Sequence, residues 1–177
     1  MPRIPYKPHD NAGPEELVAA IRERRGGTLL NLDRMLLHSP PLTAGWGAFL
    51  GAVRTQLSVP YKLRELAMCA VAVLNGAEYE RVHHGPHFLK AGGTQEQLDA
   101  LLDLDKASSD MALFDAVERA VLRLTLDMTR HIEVSDEVFG EIQAQLPDEQ
   151  QIVELVGVIA AYNMVSRVIV ALGVELE

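Results

Sequence analysis

The densest chemistry in the chain lies in Glu78-Tyr79-Glu80-Arg81-Val82-His83-His84-Gly85-Pro86-His87, which holds three of the six histidines. On a helix, Glu80 faces His83 at i+3 and His84 at i+4, and His83 faces His87 at i+4. A carboxylate beside an imidazole favours its charged form and orients the ring through a hydrogen bond. Such a pair moves protons near neutral pH, which makes Glu80 and His84 candidates for general acid–base work. Pro86 brings no N–H to the Val82 carbonyl and crowds that turn, so the helix either kinks there or ends and restarts. Irregular backbone beside imidazoles favours a pocket. Tyr79 and His83 are expected to line it, and Arg81 to hold a substrate carboxylate, unless it simply points to solvent.

Glu65 is the second candidate. It sits on a mostly apolar helix, one turn before Cys69 and one helix before the histidines. A carboxylate on a packed helix must be paired or have a raised pKa. Across a bend at Gly76 it would meet the histidines as a proton relay, while pairing with Arg64 is the plainer structural alternative. Cys69, flanked by Met68, Ala70 and Val71, reads as a small core hydrophobe. Glu80-x-x-His83 also has the spacing of one half of a di-iron site, but no second copy occurs. A mononuclear zinc or iron site from Glu80, His83 and His87 stays open as an alternative. The leading expectation uses neither metal nor cofactor.

The elements that must position these groups are helical. Residues 1–13 hold three prolines and no apolar run, so they are expected as an extended arm with no targeting signal. Residues 14–177 are expected as one helical domain. Pro14 suits a first helical position, and Gly26-Gly27 ends that segment. A short helix is expected near 30–38, then one carrying Leu42, Trp46, Phe49, Leu50 and Val53. Ser58-Val59-Pro60 opens the helix bearing Glu65, which Gly76 ends, and the histidine helix follows to Gly92-Gly93. Thr94 to Gln97 is a capping-box pattern, Phe114 to Arg130 is again helical, Ser135 caps a short helix, and Pro147 precedes a long last one. No alternating strand pattern or internal repeat appears, so the fold class is all-α, with about seven to nine helices.

The last helix is apolar nearly all round, from Ile152 to Leu172. That predicts burial on every side, either inside its own domain or partly against another subunit. Its longest uncharged stretch falls short of the roughly 20 residues of a membrane span, so no membrane partner is expected and a cytoplasmic location follows by default. The 177 residues carry 16 Lys and Arg against 25 Asp and Glu, a net charge of −9. That balance excludes electrostatic binding to nucleic acid. A single cysteine excludes an internal disulfide.

Arg64-Glu65-Leu66-Ala67, Leu74-Asn75-Gly76-Ala77-Glu78-Tyr79-Glu80-x-x-His83-His84, Ala91-Gly92-Gly93-Thr94 and the tail Tyr162-Asn163-Met164-Val165-Ser166-Arg167 together resemble the carboxymuconolactone decarboxylase family. That family includes the AhpD-like alkylhydroperoxidases. The resemblance implies an all-helical homo-oligomer, a trimer or hexamer. AhpD-like members carry Cys-x-x-Cys-x-x-x-His, with a glutamate twelve residues before the first cysteine. Laid on this chain, the glutamate is Glu65, the cysteine positions are Ala77 and Glu80, and the histidine is His84. Without the thiols, disulfide-based peroxide reduction is not expected. The decarboxylase branch needs only acid–base chemistry on a small organic molecule. The expected roles are therefore Glu65 as relay, His84 as acid or base and Glu80 as its orienting carboxylate. A helical assembly module that kept the fold and lost catalysis is the alternative.

Overall fold

The computed structural model describes residues 1–146 and 148–177; Pro147, expected before the last helix, lies outside the described residues. Among the described residues there are ten α-helices, one 3-10 turn and no strand. The count exceeds nine because the segment after Thr94 breaks into α6 (Gln95–Ala100), a 3-10 turn and α7 (Leu104–Ala107), where one helix was expected. The chain forms two compact units, residues 1–56 with 168–177, and residues 57–167.

The first unit holds α1 (Glu15–Arg24), α2 (Asn31–Leu36) and α3 (Pro40–Thr55). Pro14 is the N-cap residue of α1, and Val18 and Ile21 supply its buried side. On α3 the apolar stripe divides: Trp46, Leu50 and Val53 are buried, whereas Leu42 and Phe49 stay exposed. The first thirteen residues form no helix or strand. Their backbone is held at intervals, by Arg3 N–H donating to Leu172 O, by the Arg34 guanidinium on Lys7 O and by His38 Nε2 on Pro5 O.

The second unit holds the candidate residues. Its centre is α4 (Tyr61–Leu74), packed on α5 (Glu78–Lys90) and α8 (Ala116–Arg130). Leu66, Ala67, Ala70 and Val71 have no exposed surface, which explains the breadth of the apolar face on this helix. At its end, Gly76 adopts φ +62°, with Ala77 N–H bonded to Ala72 O and Gly76 N–H to Val73 O. This paired closure of the last turn needs a left-handed residue, which glycine supplies without strain. The chain reverses there and α5 runs back along α4.

The same closure ends α5. Gly92 takes φ +97°, Gly93 N–H bonds to Phe88 O, and the fully buried Phe88 ring lies where a Cβ on Gly93 would be. Gly93→Ala should therefore cost about 1–3 kcal/mol in urea unfolding, the cost of overfilling a packed core. Gly85→Ala, with only an ordinary contact to Leu98, should cost less.

Pro86 lies inside α5 without ending it. Of the two outcomes expected from the sequence, the helix carries on, so His84 and His87 share one continuous element. α6 starts on the expected capping box, Thr94 Oγ1 accepting from Gln97 N–H. α8 starts on another, between Asp115 and Glu118. α9 (Asp136–Gln145) is capped by Ser135.

α10 (Glu149–Leu172) is long and apolar enough, by length and composition, to cross a membrane once its flanking charges are included. The uncharged stretch alone had suggested otherwise. Half of that apolar window is buried inside the protein, with Leu155, Val158, Ile159, Tyr162 and Val165 fully enclosed. Burial is not all round, however, because Val153, Met164 and Val170 are exposed.

Candidate functional site

α4, α5 and α10 bring four polar side chains to one buried point in the second unit. Glu65 is 4% exposed, Glu80 2%, His84 7% and Tyr162 0%. His84 Nδ1 lies 2.7 Å from Glu65 Oε2, with Nδ1–H donating to the carboxylate. On the other edge of the ring, Nε2 is 2.9 Å from Tyr162 Oη and 3.2 Å from Glu80 Oε2. The Tyr162 ring meets the imidazole edge-on at 4.8 Å. Glu80 Oε2 has an ion-pair distance to the ring but no aligned hydrogen bond.

Burial works against a charged imidazole here, since it removes the water that would solvate the cation. The hydrogen bond to Glu65 and the nearby charges of Glu65 and Glu80 outweigh it, and the His84 pKa is raised above its ordinary 6.5. The cluster is thus an imidazole gripped by two carboxylates, which favour its charged form, with a phenol beside Nε2. It can hold a proton near neutral pH and pass it between Nε2 and a neighbouring oxygen.

The three residues expected to do the chemistry, Glu65, Glu80 and His84, are brought together. The three expected to bind substrate point elsewhere. His83 Nδ1 bonds to Tyr79 O at 2.7 Å, and its ring stacks on Tyr79 at 4.2 Å. Arg81 grips Glu78 with Nε and Nη2 at 2.9 and 2.6 Å. Its guanidinium is turned along the exposed side of α5 toward Glu78, one turn back, rather than to His84. His87 Nδ1 is hydrogen-bonded to Tyr61 Oη at 2.8 Å. With His83 and His87 turned to these partners and Glu80 facing His84, the alternative three-ligand set of Glu80, His83 and His87 does not assemble. Among the described residues no other group of three such ligands does so either. Cys69 is buried, and burial first, then the charge of Glu65, pushes its thiol pKa up to about 12, as expected for an inert core cysteine.

Tyr162 escaped the sequence reading. The legible signal was a hydroxyl-bearing ring inside an apolar helix, which must find a partner when buried. Asn163 beside it explains another part of the motif. Its amide donates to Thr129 Oγ1 and accepts from Asn75 Nδ2 and Arg167 Nη1, tying α10 to the turn after α4. Removing the phenol hydroxyl as Tyr162→Phe should cost about 1 kcal/mol in urea unfolding, the usual worth of one hydrogen bond.

This fold is that of the AhpD-like helical proteins. The model of the carboxymuconolactone decarboxylase family matches residues 40–125, a stretch containing Glu65, Glu80 and His84. Solved structures agree on the fold. An uncharacterized peroxidase-related protein from Silicibacter sp. TM1040 superposes with a TM-score of 0.82 at 18% identity, covering 100% of this chain and 94% of the other. An AhpD-core peroxidase-related protein from Ralstonia eutropha JMP134 gives 0.82 at 19%, covering 100% and 93%. The debrominase Bmp8, as a cysteine-to-alanine variant with 2,3,4-tribromopyrrole, gives 0.76 at 17%, covering 100% and 94%. No functionally curated protein matches the sequence significantly.

Proposed function

We propose that this chain is a cofactor-independent acid–base enzyme of the carboxymuconolactone decarboxylase type, acting on a small organic molecule by a decarboxylation or isomerisation. The observation that carries the reading is the buried 2.7 Å contact of Glu65 with His84 Nδ1, which leaves Nε2 as the working nitrogen. Loss of CO₂ from a carboxylate leaves its electron pair on carbon, or on a conjugated oxygen, which must then take a proton; migration of a double bond needs a proton removed at one carbon and returned at another. An imidazole that gives and takes a proton at Nε2 serves either. Glu80 and Tyr162 hold the ring and compete for the Nε2 proton. The anionic substrate expected through Arg81 gains no support, because Glu78 already occupies that guanidinium. With alanine and glutamate in place of the two thiols, disulfide-based peroxidase activity is not part of the proposal.

One observation favours a second reading. Both ring nitrogens of His84 have internal partners, which also suits a structural ion cluster in a non-catalytic assembly module. A screen of unsaturated lactone and keto acids for CO₂ release or absorbance change, run with wild type and His84→Ala, separates the two. Turnover lost in the variant supports the enzyme; equal rates in both leave the assembly module.

A homo-oligomer, trimer or hexamer, in the cytoplasm is also proposed. The exposed Val153 and Met164, on one side of α10, support an intersubunit face. Sedimentation at equilibrium should give a mass of at least three chains, and a monomer would refute it.

A further inference from the structure

Glu65, Glu80, His84 and Tyr162 are each no more than 7% exposed, so a proton spent or gained among them exchanges with water most readily through a neighbour. Among the described residues, two rings contact the His84 imidazole. Tyr162 is fully enclosed, whereas His87 is exposed, its ring centre 6.0 Å from that of His84. Residues 80, 84 and 87 share one face of α5, each following the last by about one helical turn. Pro86 leaves that face continuous, since the helix carries on through it. His83, the other imidazole nearby, is committed to Tyr79.

α5 runs back along α4 from the Gly76 turn, so one turn outward on each helix gives a second pair. In the inner pair, Glu65 Oε2 accepts from His84 Nδ1 at 2.7 Å. In the outer pair, Tyr61, one turn before Glu65, meets His87 Nδ1 through Oη at 2.8 Å. That contact engages Nδ1 only, and the ring is exposed, which leaves Nε2 to meet water. Tyr61 stays a phenol, because burial and then the charge of Glu65 push its pKa above the ordinary 10.0. A phenol both donates and accepts, so it matches His87 whether the ring is neutral or charged.

We infer that His87, held by Tyr61, is the proton outlet of the buried cluster, exchanging protons with water and passing them to and from His84. His87 takes one proton from water at Nε2 and becomes imidazolium. It then gives one proton up toward His84 across a bridging water and is neutral again. His87 is a positioning residue, since it reloads His84 and touches no reacting atom. Its use in turnover rests on the acid–base reading above; the exchange itself does not.

The test is the rate at which the His84 ring N–H protons exchange with water, read by NMR saturation transfer on the full-length protein at fixed pH. His87→Ala should slow this exchange about tenfold, less than the 10²–10⁴ of positioned acid–base groups because His84 keeps a slightly exposed edge. Imidazole added to the solution should restore the rate in His87→Ala and leave wild type unchanged. Tyr61→Phe, which keeps the outer imidazole but frees its Nδ1, should slow exchange by a smaller factor. The His84 pKa, set by burial, Glu65 and Glu80, should stay in place in both variants. Exchange as fast in His87→Ala as in wild type would show that His84 meets water directly and would overturn the outlet. So would a slowing that imidazole does not restore, or one accompanied by a displaced His84 pKa. Absent turnover with exchange behaving as described would refute the acid–base reading and leave the outlet standing.

Discussion

Glu65→Gln should pull the His84 pKa down from its raised position, because it removes the hydrogen-bonded charge while burial still opposes the cation. NMR of the imidazole nitrogens across a pH series reads this directly. Stability should follow with a defined sign. A pKa that is higher in the folded state than its unfolded value near 6.5 contributes stability fully present below that value. The contribution is lost as pH rises through the raised folded pKa. Wild type should therefore weaken as pH climbs from about 6.5 through the raised folded pKa, and Glu65→Gln should flatten that part of the curve. If His84 turns over a substrate, the same variant should lower kcat by about 10²–10⁴, the usual share of positioned acid–base catalysis. An unchanged His84 pKa would refute the pairing itself, independently of any activity.

The second large effect is expected away from this cluster. Glu118 is 3% exposed and takes the Lys62 ammonium at 2.6 Å on Oε1, while Oε2 accepts from Asp115 N–H and from Gln97 Nε2. It thus joins α4, α6 and the start of α8. Glu118→Ala strands the ammonium and opens the α8 cap, and should destabilise by about 3 kcal/mol, the low end for breaking a buried pair because Lys62 is partly exposed. Glu118→Gln keeps the Asp115 contact and should cost less. Changing both partners to apolar residues, Lys62→Met with Glu118→Leu, should recover part of the loss, since no charge is then left unpaired. Urea unfolding of the four proteins checks the order. A double variant less stable than Glu118→Ala would contradict it.

Much of the architecture was legible because its signals are local. Gly76 and Gly92 end α4 and α5 through their left-handed turns, Thr94 and Ser135 cap the helices that follow them, and 3-4 apolar spacing marks the buried faces. The pairing of Glu80 with His84 follows from one helical turn. Glu65 was expected against the histidines across the Gly76 bend, with Arg64 as the alternative partner, since nothing within α4 alone says which neighbour its carboxylate meets.

What local patterns cannot encode is direction around a helix relative to a distant neighbour. Arg81, Tyr79 and His83 lie in the same ten residues as the relay, yet a helix distributes successive side chains over its whole circumference. Glu78 then claimed Arg81, and Tyr79 claimed His83. The metal set of Glu80, His83 and His87 dissolved for the same reason.

By itself, then, the sequence determined an all-helical chain with one thiol, a carboxylate–imidazole pair on one helix, and a family whose cysteine positions hold Ala77 and Glu80. Only the tertiary structure decided that Tyr162, 78 residues along the chain, closes over His84 Nε2, and that Arg81 lines a cavity between α4, α5 and α6. Helix capping and amphipathic spacing depend on residues a turn apart, whereas the partners of a buried polar atom depend on how helices pack.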